Sequence, residues 1–404
     1  MIVLDPQDTG CNLPIKIWTP EKNFSPPDRE DSAAYKGWQL VWTQLNNLAN
    51  HPLAVRHVCA MPDFHPGYGM PIGGVLATRG GVVPNAVGSD IGCGMIAQRL
   101  NIQADDLNRE DLKALQQAIY KRVPVGFQRH NTPNPLDWGL RAPSLDPNLT
   151  VVADHYQQAK HQIGTLGGGN HFIELQRCDE DGRLWLMLHS GSRRIGKEVG
   201  DHYDKIAKAY MQSFKIDIDN SLAFLPDTVP EYEQYLAEMR WCMDYAEANR
   251  QAMLAAVHDA FKSLGCEDMD VLMEVETHHN FAAMENHFGE NLMIHRKGAV
   301  KATGLVTIPG SMGTASFIGE GLTPQESFNT CAHGGGRVMG RKEANRTITH
   351  DRAIESMADV VFEVREGEYD EMPDAYKPID EVMAAQADLV KPLYRLTPLT
   401  VVKG

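Results

Sequence analysis

The apolar and polar positions fall into short buried runs broken by glycine-rich segments, plus one long helical stretch. Ile72-Gly-Gly-Val-Leu-Ala77 and Arg183-Leu-Trp-Leu-Met-Leu188 predict short buried strands, the second leading straight into His189-Ser-Gly-Ser-Arg193. Val271-Leu-Met-Glu-Val-Glu276 predicts another buried strand, leading into Thr277-His-His-Asn280. Polar residues just past a buried strand are rigidly held yet accessible, as a reactive site requires. Pro230 to Leu264, with proline at the start and Gly265 just past the end, predicts a long helix or helix pair, whose Met, Tyr, Trp and Ala stripe reads as core packing. Residues 379–390 predict a further helix, and Leu399-Thr-Val-Val402 a last strand. The class is mixed α/β, with β-sheets flanked by helices and no internal repeat or low-complexity linker.

At 404 residues the chain is long enough for two or three domains or one large unit. Apolar residues at 43% and charged residues at 23% exclude a disordered or fibrous protein. The net charge of −15 removes any general attraction to nucleic acid or an anionic membrane, so an anionic partner needs a local patch. Seven dispersed cysteines without a C-x-x-C pair fit a reducing compartment. Neither a signal peptide nor an apolar run of membrane length is evident, so a cytoplasmic protein with no membrane partner is expected.

The glycines change the picture. Of 35, nine lie in 67–94, eight in 164–200 and eleven in 289–340. Glycine serves where φ is positive or backbone must approach something closely. Since His65, His171, His189, His278, His279 and His333 fall in or just before these zones, the zones read as three walls of one site. The other histidines have no such setting and read as structural.

In Gly88-Ser-Asp90-Ile-Gly-Cys93-Gly-Met95, an aspartate and a cysteine three apart among glycines suit a tight turn aiming both at one ion, and a thiolate can bridge two. With imidazoles from His171, His189 and the His278–His279 pair, the set suits a divalent transition metal, and by softness zinc. A small buried apolar residue is the competing reading of Cys93. Side chains alternate along an extended segment, so one of the adjacent histidines faces the metal; His279 is chosen, with His278 or Glu276 left to orient it.

Three segments suit phosphate: Gly164-Thr-Leu-Gly-Gly-Gly169-Asn170, Pro309-Gly-Ser311-Met-Gly-Thr-Ala-Ser316 and His333-Gly-Gly-Gly336-Arg337. None is a P-loop or a dinucleotide fingerprint. Basic residues cluster at Arg193, Arg194 and Lys197, at Arg296, Lys297 and Lys301, and at Arg337, Arg341, Lys342 and Arg346, which reads as an anionic substrate track. His333 reads either as a nucleophile toward phosphorus or as a further metal ligand.

Taken together, these segments resemble the RtcB family of RNA-splicing ligases. The resemblance runs through Met61-Pro-Asp-Phe-His65, Gly88-Ser-Asp90-Ile-Gly-Cys93, Gly169-Asn-His-Phe-Ile-Glu174, His189-Ser-Gly-Ser-Arg193, His278-His-Asn280, Arg296-Lys-Gly-Ala299, Ile308-Pro-Gly-Ser-Met-Gly313, His333-Gly-Gly-Gly-Arg337 and Val401-Val-Lys-Gly404, covering about residue 50 to the end. It implies one α/β domain over 1–404. It also implies joining of RNA ending in a 2′,3′-cyclic phosphate or 3′-phosphate to RNA with a 5′-hydroxyl, using GTP and two Mn(II) ions in place of zinc. By resemblance Cys93 bridges the metals, Asp90 and His171 complete one and His189 and His279 the other, and His333 takes GMP. Asn170, Glu174, Ser311, Ser316, Arg337, Tyr376 and Lys403 fall at GTP-holding positions, Arg193 and Lys297 where substrate phosphates pass. An archease-like activator is a possible partner. Arg194 and Gly335 stand where the family often has glycine and alanine. A metal-dependent phosphohydrolase acting on RNA ends without GTP is the rival function, and an RNA-end-binding accessory protein a third.

Overall fold

The computed structural model describes residues 1–20, 26–27, 32–134, 139–140 and 142–404. Two large β-sheets dominate. One has seven strands in the order Val271–His278, Gly94–Gln103, Arg183–Ser190, Phe172–Cys178, Val390–Lys403, Ser316–Leu322, Thr303–Ile308, every neighbouring pair antiparallel. Its two edge strands come together where Thr277 Oγ1 and Thr307 Oγ1 lie 2.6 Å apart, curling the sheet toward a barrel. The other has six strands in the order Ile2–Leu4, Ile15–Ile17, Ala54–His65, Ile72–Thr78, Glu290–Lys297, Asn280–His287.

Period-two alternation sends the inner strands Gly94–Gln103, Arg183–Ser190 and Phe172–Cys178 of the seven-stranded sheet into two cores. Ile96, Leu184, Leu186 and Leu188 pack with Leu112 and Leu115 of the helix Arg109–Tyr120 and with Val257 and Phe261. Met95, Ala97, Trp185 and Met187 face the other way, against Ile348, Met357 and Tyr369. Burial on both faces is why Leu184–Leu188 is an unbroken apolar run. A third core joins the sheets: Cys59, Val75 and Ile294 of one pack with Val306, Ile308 and Phe317 of the other.

The stretch expected as a helix or helix pair is one helix, Pro230–Lys262, of 33 residues. Its Tyr235, Met239 and Tyr245 fill the core beneath the six-stranded sheet, while Met253, Leu254 and Val257 fill the core beneath the seven-stranded one. Three expectations change. The strand Val271–His278 is not buried along its length: it is a sheet edge whose Val271 and Leu272 are 40% and 49% exposed, and only Val275 and Thr277 are buried. The helix expected over 379–390 is Ile379–Ala385, and the final strand is far longer than 399–402, spanning Val390–Lys403. Pro392 and Pro398 disguise that strand; each stands beside a register shift, where a missing N–H costs little.

The chain crosses from the seven-stranded to the six-stranded sheet at one residue. Val271–His278 ends in one, Asn280–His287 begins in the other, and His279 stands between them.

Candidate active site

The turn Asp90–Cys93 sits at the start of the strand Gly94–Gln103, with the Cys93 N–H donating to Asp90 O at 3.1 Å. Its glycines are set by crowding. Gly92 has φ +70°, and a Cβ there would lie 2.8 Å from Met243 Cα; one on Gly94 would lie 2.3 Å from Thr277 O. Around this turn, His171 Nε2 is 3.1 Å from Asp90 Oδ2 and 3.4 Å from Cys93 Sγ. His189 Nε2 is 3.2 Å from the same Sγ and 3.4 Å from His279 Nε2. Two ligand groups result, Asp90–Cys93–His171 and Cys93–His189–His279, with Cys93 in both.

The rings are aimed by backbone. His189 Nδ1 lies 3.0 Å from Asn170 O. His171 Nδ1 lies 3.0 Å from Leu166 O and 2.9 Å from the Arg193 guanidinium. His279 is fixed through its main chain: its N–H donates to Cys93 O at 2.9 Å and its carbonyl accepts from Ala299 N at 3.1 Å. His278 and Glu276, expected to orient it, turn instead to Arg250, at 3.4 Å and 2.7 Å.

Burial, reinforced by neighbouring histidines, pushes His189 and His279 well below the ordinary imidazole range, so both are neutral donors. Desolvation works to raise Asp90, but the hydrogen bond and charge of His171 and the charge of Arg193 hold its carboxyl at about 2. Burial and the Asp90 charge push the Cys93 thiol well above its usual value. A thiol so placed loses its proton only to a cation, and three imidazole nitrogens converge on it. Such a soft, buried, pre-aimed donor set fits divalent metal ions.

His333 stands apart from both ligand groups. Its ring is 4.9 Å, centroid to centroid, from that of His279, and its Nδ1 lies 2.5 Å from Asp63 Oδ2. The His333 backbone N–H donates to the same oxygen at 3.1 Å. Asp63 is fully buried, so the pair holds the ring with Nε2 free. Gly298, φ +60°, makes room: a Cβ there would lie 2.3 Å from Ile72 Cγ2 and 3.1 Å from His333 Cε1.

These groups line one cavity of about 930 Å³. Asp90, Cys93, His189, His279 and His333 share its wall with Asn170, Ser311, Arg337, Tyr376 and Lys403. Glu371, which the sequence reading passed over, ties that end together. It accepts from Arg337 Nη1 at 3.1 Å and from Arg341 and the Tyr376 hydroxyl, and pairs with Lys403 Nζ at 3.5 Å. Burial works to raise Glu371, but Lys403 and Arg341 hold it below the usual carboxylate range. Burial depresses Lys403 in turn. Glu174 and Ser316 lie behind this wall: Gln176 Nε2 donates to both, at 2.6 Å and 3.1 Å, and burial raises Glu174 to about 8.

Arg193 packs across Gly167, whose Cβ would lie 1.7 Å from its Nη2, so that glycine run serves close packing. The buried Lys297 donates to Tyr68 O and Asn85 O at 2.6 Å and 2.9 Å, and burial lowers it to about 8. The basic track expected from local charge is largely paired off by acids distant in sequence or a turn along the helix. Arg296 is fully buried against Glu285 and Phe328 O, Arg341 joins Asp370 and Glu371, and Arg194 and Lys197 pair with Glu198 and Asp201.

Three positioning residues escaped the sequence reading. Asp63 lies 270 residues from His333. Arg250 hides in the apolar-looking stripe of the long helix. Asn280 bonds Asp90 O and Gly298 N at 3.0 Å and 2.8 Å, tying the metal turn to the loop under His333. Asn249 and Arg250 break the apolar stripe together and both are fully buried, so nothing local singles out Arg250.

Comparison with known proteins gives the family. The family model described as tRNA-splicing ligase RtcB matches residues 44–141 and 141–404. The RNA-splicing ligase RtcB of Escherichia coli K12 is 37% identical over 419 residues, covering 98% of each chain. That of Mycobacterium tuberculosis is 34% identical over 89% of this chain and 100% of its own. The tRNA-splicing ligase RtcB of Nanoarchaeum equitans is 28% identical over 99% and 97%. With a site built from residues on both sides of each matched boundary and relatives aligned nearly end to end, the chain belongs to the RtcB family of ligase enzymes.

Proposed function

We propose that this enzyme joins an RNA end bearing a 2′,3′-cyclic phosphate or 3′-phosphate to an RNA end bearing a 5′-hydroxyl, in tRNA splicing or RNA repair, with GTP as co-substrate and the whole chain 1–404 acting as one cytoplasmic domain. The supporting observation is the buried Asp63–His333 pair set beside, and outside, a ligand cluster in one cavity. Cys93 would bridge two Mn(II) ions, with Asp90 and His171 on one and His189 and His279 on the other. When bound, they supply charge neutralisation at phosphoryl oxygens.

The chain's own residues supply the rest. Asp63 accepts the Nδ1 proton of His333, leaving the Nε2 lone pair toward the cavity. Nε2 attacks the α-phosphorus of GTP; the P–N bond forms as the bond to pyrophosphate breaks. A cyclic end is first hydrolysed by water to a 3′-phosphate and a 2′-hydroxyl; the terminal 3′-phosphate then takes GMP from the imidazole, and the 5′-hydroxyl displaces GMP from that activated end, losing its proton as the phosphodiester closes. Asn170, Ser311, Tyr376 and Lys403 hold the nucleotide, Glu174 and Ser316 support the wall behind it, and Arg337 is held where phosphate passes. Arg193 and Lys297, which are outside the residues lining the cavity, are assigned to substrate phosphates.

The test is incubation with [α-³²P]GTP and manganese followed by denaturing electrophoresis. An acid-labile, base-stable label on the wild type, lost in His333→Ala while metal content persists, is expected. Full ligation by His333→Ala refutes the nucleophile. A wild type that opens cyclic ends but never takes label, even with an archease-like activator added, makes it a phosphohydrolase.

A further inference from the structure

One wall of the cavity offers neither a metal ligand nor a phosphate donor: Trp38 and Val41 of the helix Ser32–Ala49, with Phe64 and Pro66. We propose that Trp38 is a stacking platform for a nucleobase at the RNA end being joined; this rests on the RNA-ligase reading above.

Three observations carry it. The indole is fixed before anything binds. Tyr35 stacks on it at 6.2 Å between centroids with planes 23° apart, and Trp42 meets it edge-on at 5.6 Å, spacings of three and four residues along one helix face. A preset ring loses little freedom on stacking. The wall is also tied to the reacting centre. Asp63, which holds His333, is followed by Phe64, His65 and Pro66, and Pro66 packs against Gly37, where a Cβ would lie 3.7 Å from its Cγ. At about 3.3 Å per extended residue, Pro66 and the neighbouring Trp38 wall lie on the order of 10 Å from the Asp63 carboxylate, within reach of a strand end whose terminal phosphate sits at His333. Phe64 already carries Lys377 Nζ over its ring at 4.3 Å, which leaves Trp38 as the large aromatic surface for a base. Every base has a π-face, so this contact holds RNA ends without selecting sequence.

The test compares Trp38→Ala and Trp38→Phe in the full chain. Trp38→Ala is expected to raise the KM for RNA ends about 5- to 150-fold, the range for losing one stacked base, while labelling of His333 by GTP stays within twofold. Trp38→Phe recovers most of that loss. An RNA end with an abasic terminal nucleotide is expected to be joined equally poorly by wild type and Trp38→Ala, a pattern that a merely structural role does not produce. Quenching of tryptophan fluorescence by single-stranded RNA, weaker in Trp38→Phe, reads the contact without any ligation. An unchanged KM in Trp38→Ala, a parallel loss of GTP labelling, or an abasic end still sensitive to Trp38 overturns the proposal. Absence of GTP labelling in the wild type instead overturns the ligase reading, and quenching by RNA then decides the platform alone.

Discussion

Replacing Arg250 by Met is expected to loosen both metal positions at once. The guanidinium has no exposed surface. It donates from Nε to Glu276 at 2.7 Å, from Nη1 to Gly92 O at 3.2 Å and Ser190 O at 3.0 Å, and its Nη2 lies 3.4 Å from His278 Nδ1. Gly92, Ser190 and His278 are the chain neighbours of Cys93, His189 and His279, so one side chain spans three ligand-bearing segments. Methionine keeps the stem but abandons a carboxylate and two carbonyls. Breaking a buried ion pair costs about 3–5 kcal/mol. Glu276 is 18% exposed and already raised by burial, so it sheds its charge by taking a proton, which keeps the total near the low end. A loss of about 3 kcal/mol by urea unfolding is expected, tolerable against a total of about 5–15 kcal/mol. Calorimetric metal titration is expected to show affinity falling by about 10–100-fold at both positions. Arg250→Lys keeps charge but not the fork and lands between. A Met variant with stability within about 1 kcal/mol of wild type and unchanged metal affinity refutes the clamp.

Cys93→Ala is expected to lose metal from both positions together, by elemental analysis, since its Sγ belongs to both ligand groups; a variant retaining one full equivalent refutes the bridge. Gly298→Ala, at φ +60° with its Cβ driven into Ile72 and His333, is expected to cut GTP labelling at least tenfold, an effect of ~1.4 kcal/mol or more, with metal content intact; unchanged labelling contradicts that packing. For Glu174, burial raises the folded pKa from 4.5 to about 8, so between those values the folded state holds the extra proton and stability contributed by this group is lost as pH rises. Glu174→Gln is therefore expected to gain stability over wild type as pH goes from about 5 to 8, by urea unfolding without nucleotide; a gap that stays constant with pH refutes the assignment.

The candidate metal ligands were legible because each lies at or near a strand end, and all but His279 have a glycine within two residues. His189 ends an unbroken apolar run, and Cys93 sits among glycines that close backbone contact demands. Alternation also sorted the adjacent histidines: Val275, Thr277 and His279 are buried on one side, while His278 turns to Gly92. What local reading could not see was pairing across distance. Arg296 reads as a free cation within its own stretch and is fully buried on Glu285, and Arg341 answers acids about thirty residues on. Asp63 lies inside the strand Ala54–His65, and nothing local marks it as the partner of a histidine 270 residues away.

His333 and the candidate ligand groups hang from different sheets, and backbone contacts fix their separation. The His279 N–H bonds Cys93 O, and its own carbonyl accepts from Ala299 N. Ala299 pairs in register with Ala332 in a short two-stranded ladder, and His333 is the next residue. Two backbone hydrogen bonds and one strand pairing therefore lead from Cys93 to the residue before His333, passing through the residue at which the chain changes sheets. Positioning for phosphoryl transfer tolerates errors of well under about 1 Å. Backbone ladders hold such tolerances better than flexible side chains do, and here side chains are left only the final aim: Asp63 on His333, and Asn280 between the Asp90 turn and Gly298. The candidate metal ligands and His333 are thus mechanically one unit, so damage at Ala299 or Ala332 is expected to disturb both metal binding and labelling by GTP, whereas damage at Asp63 is expected to spare the metals.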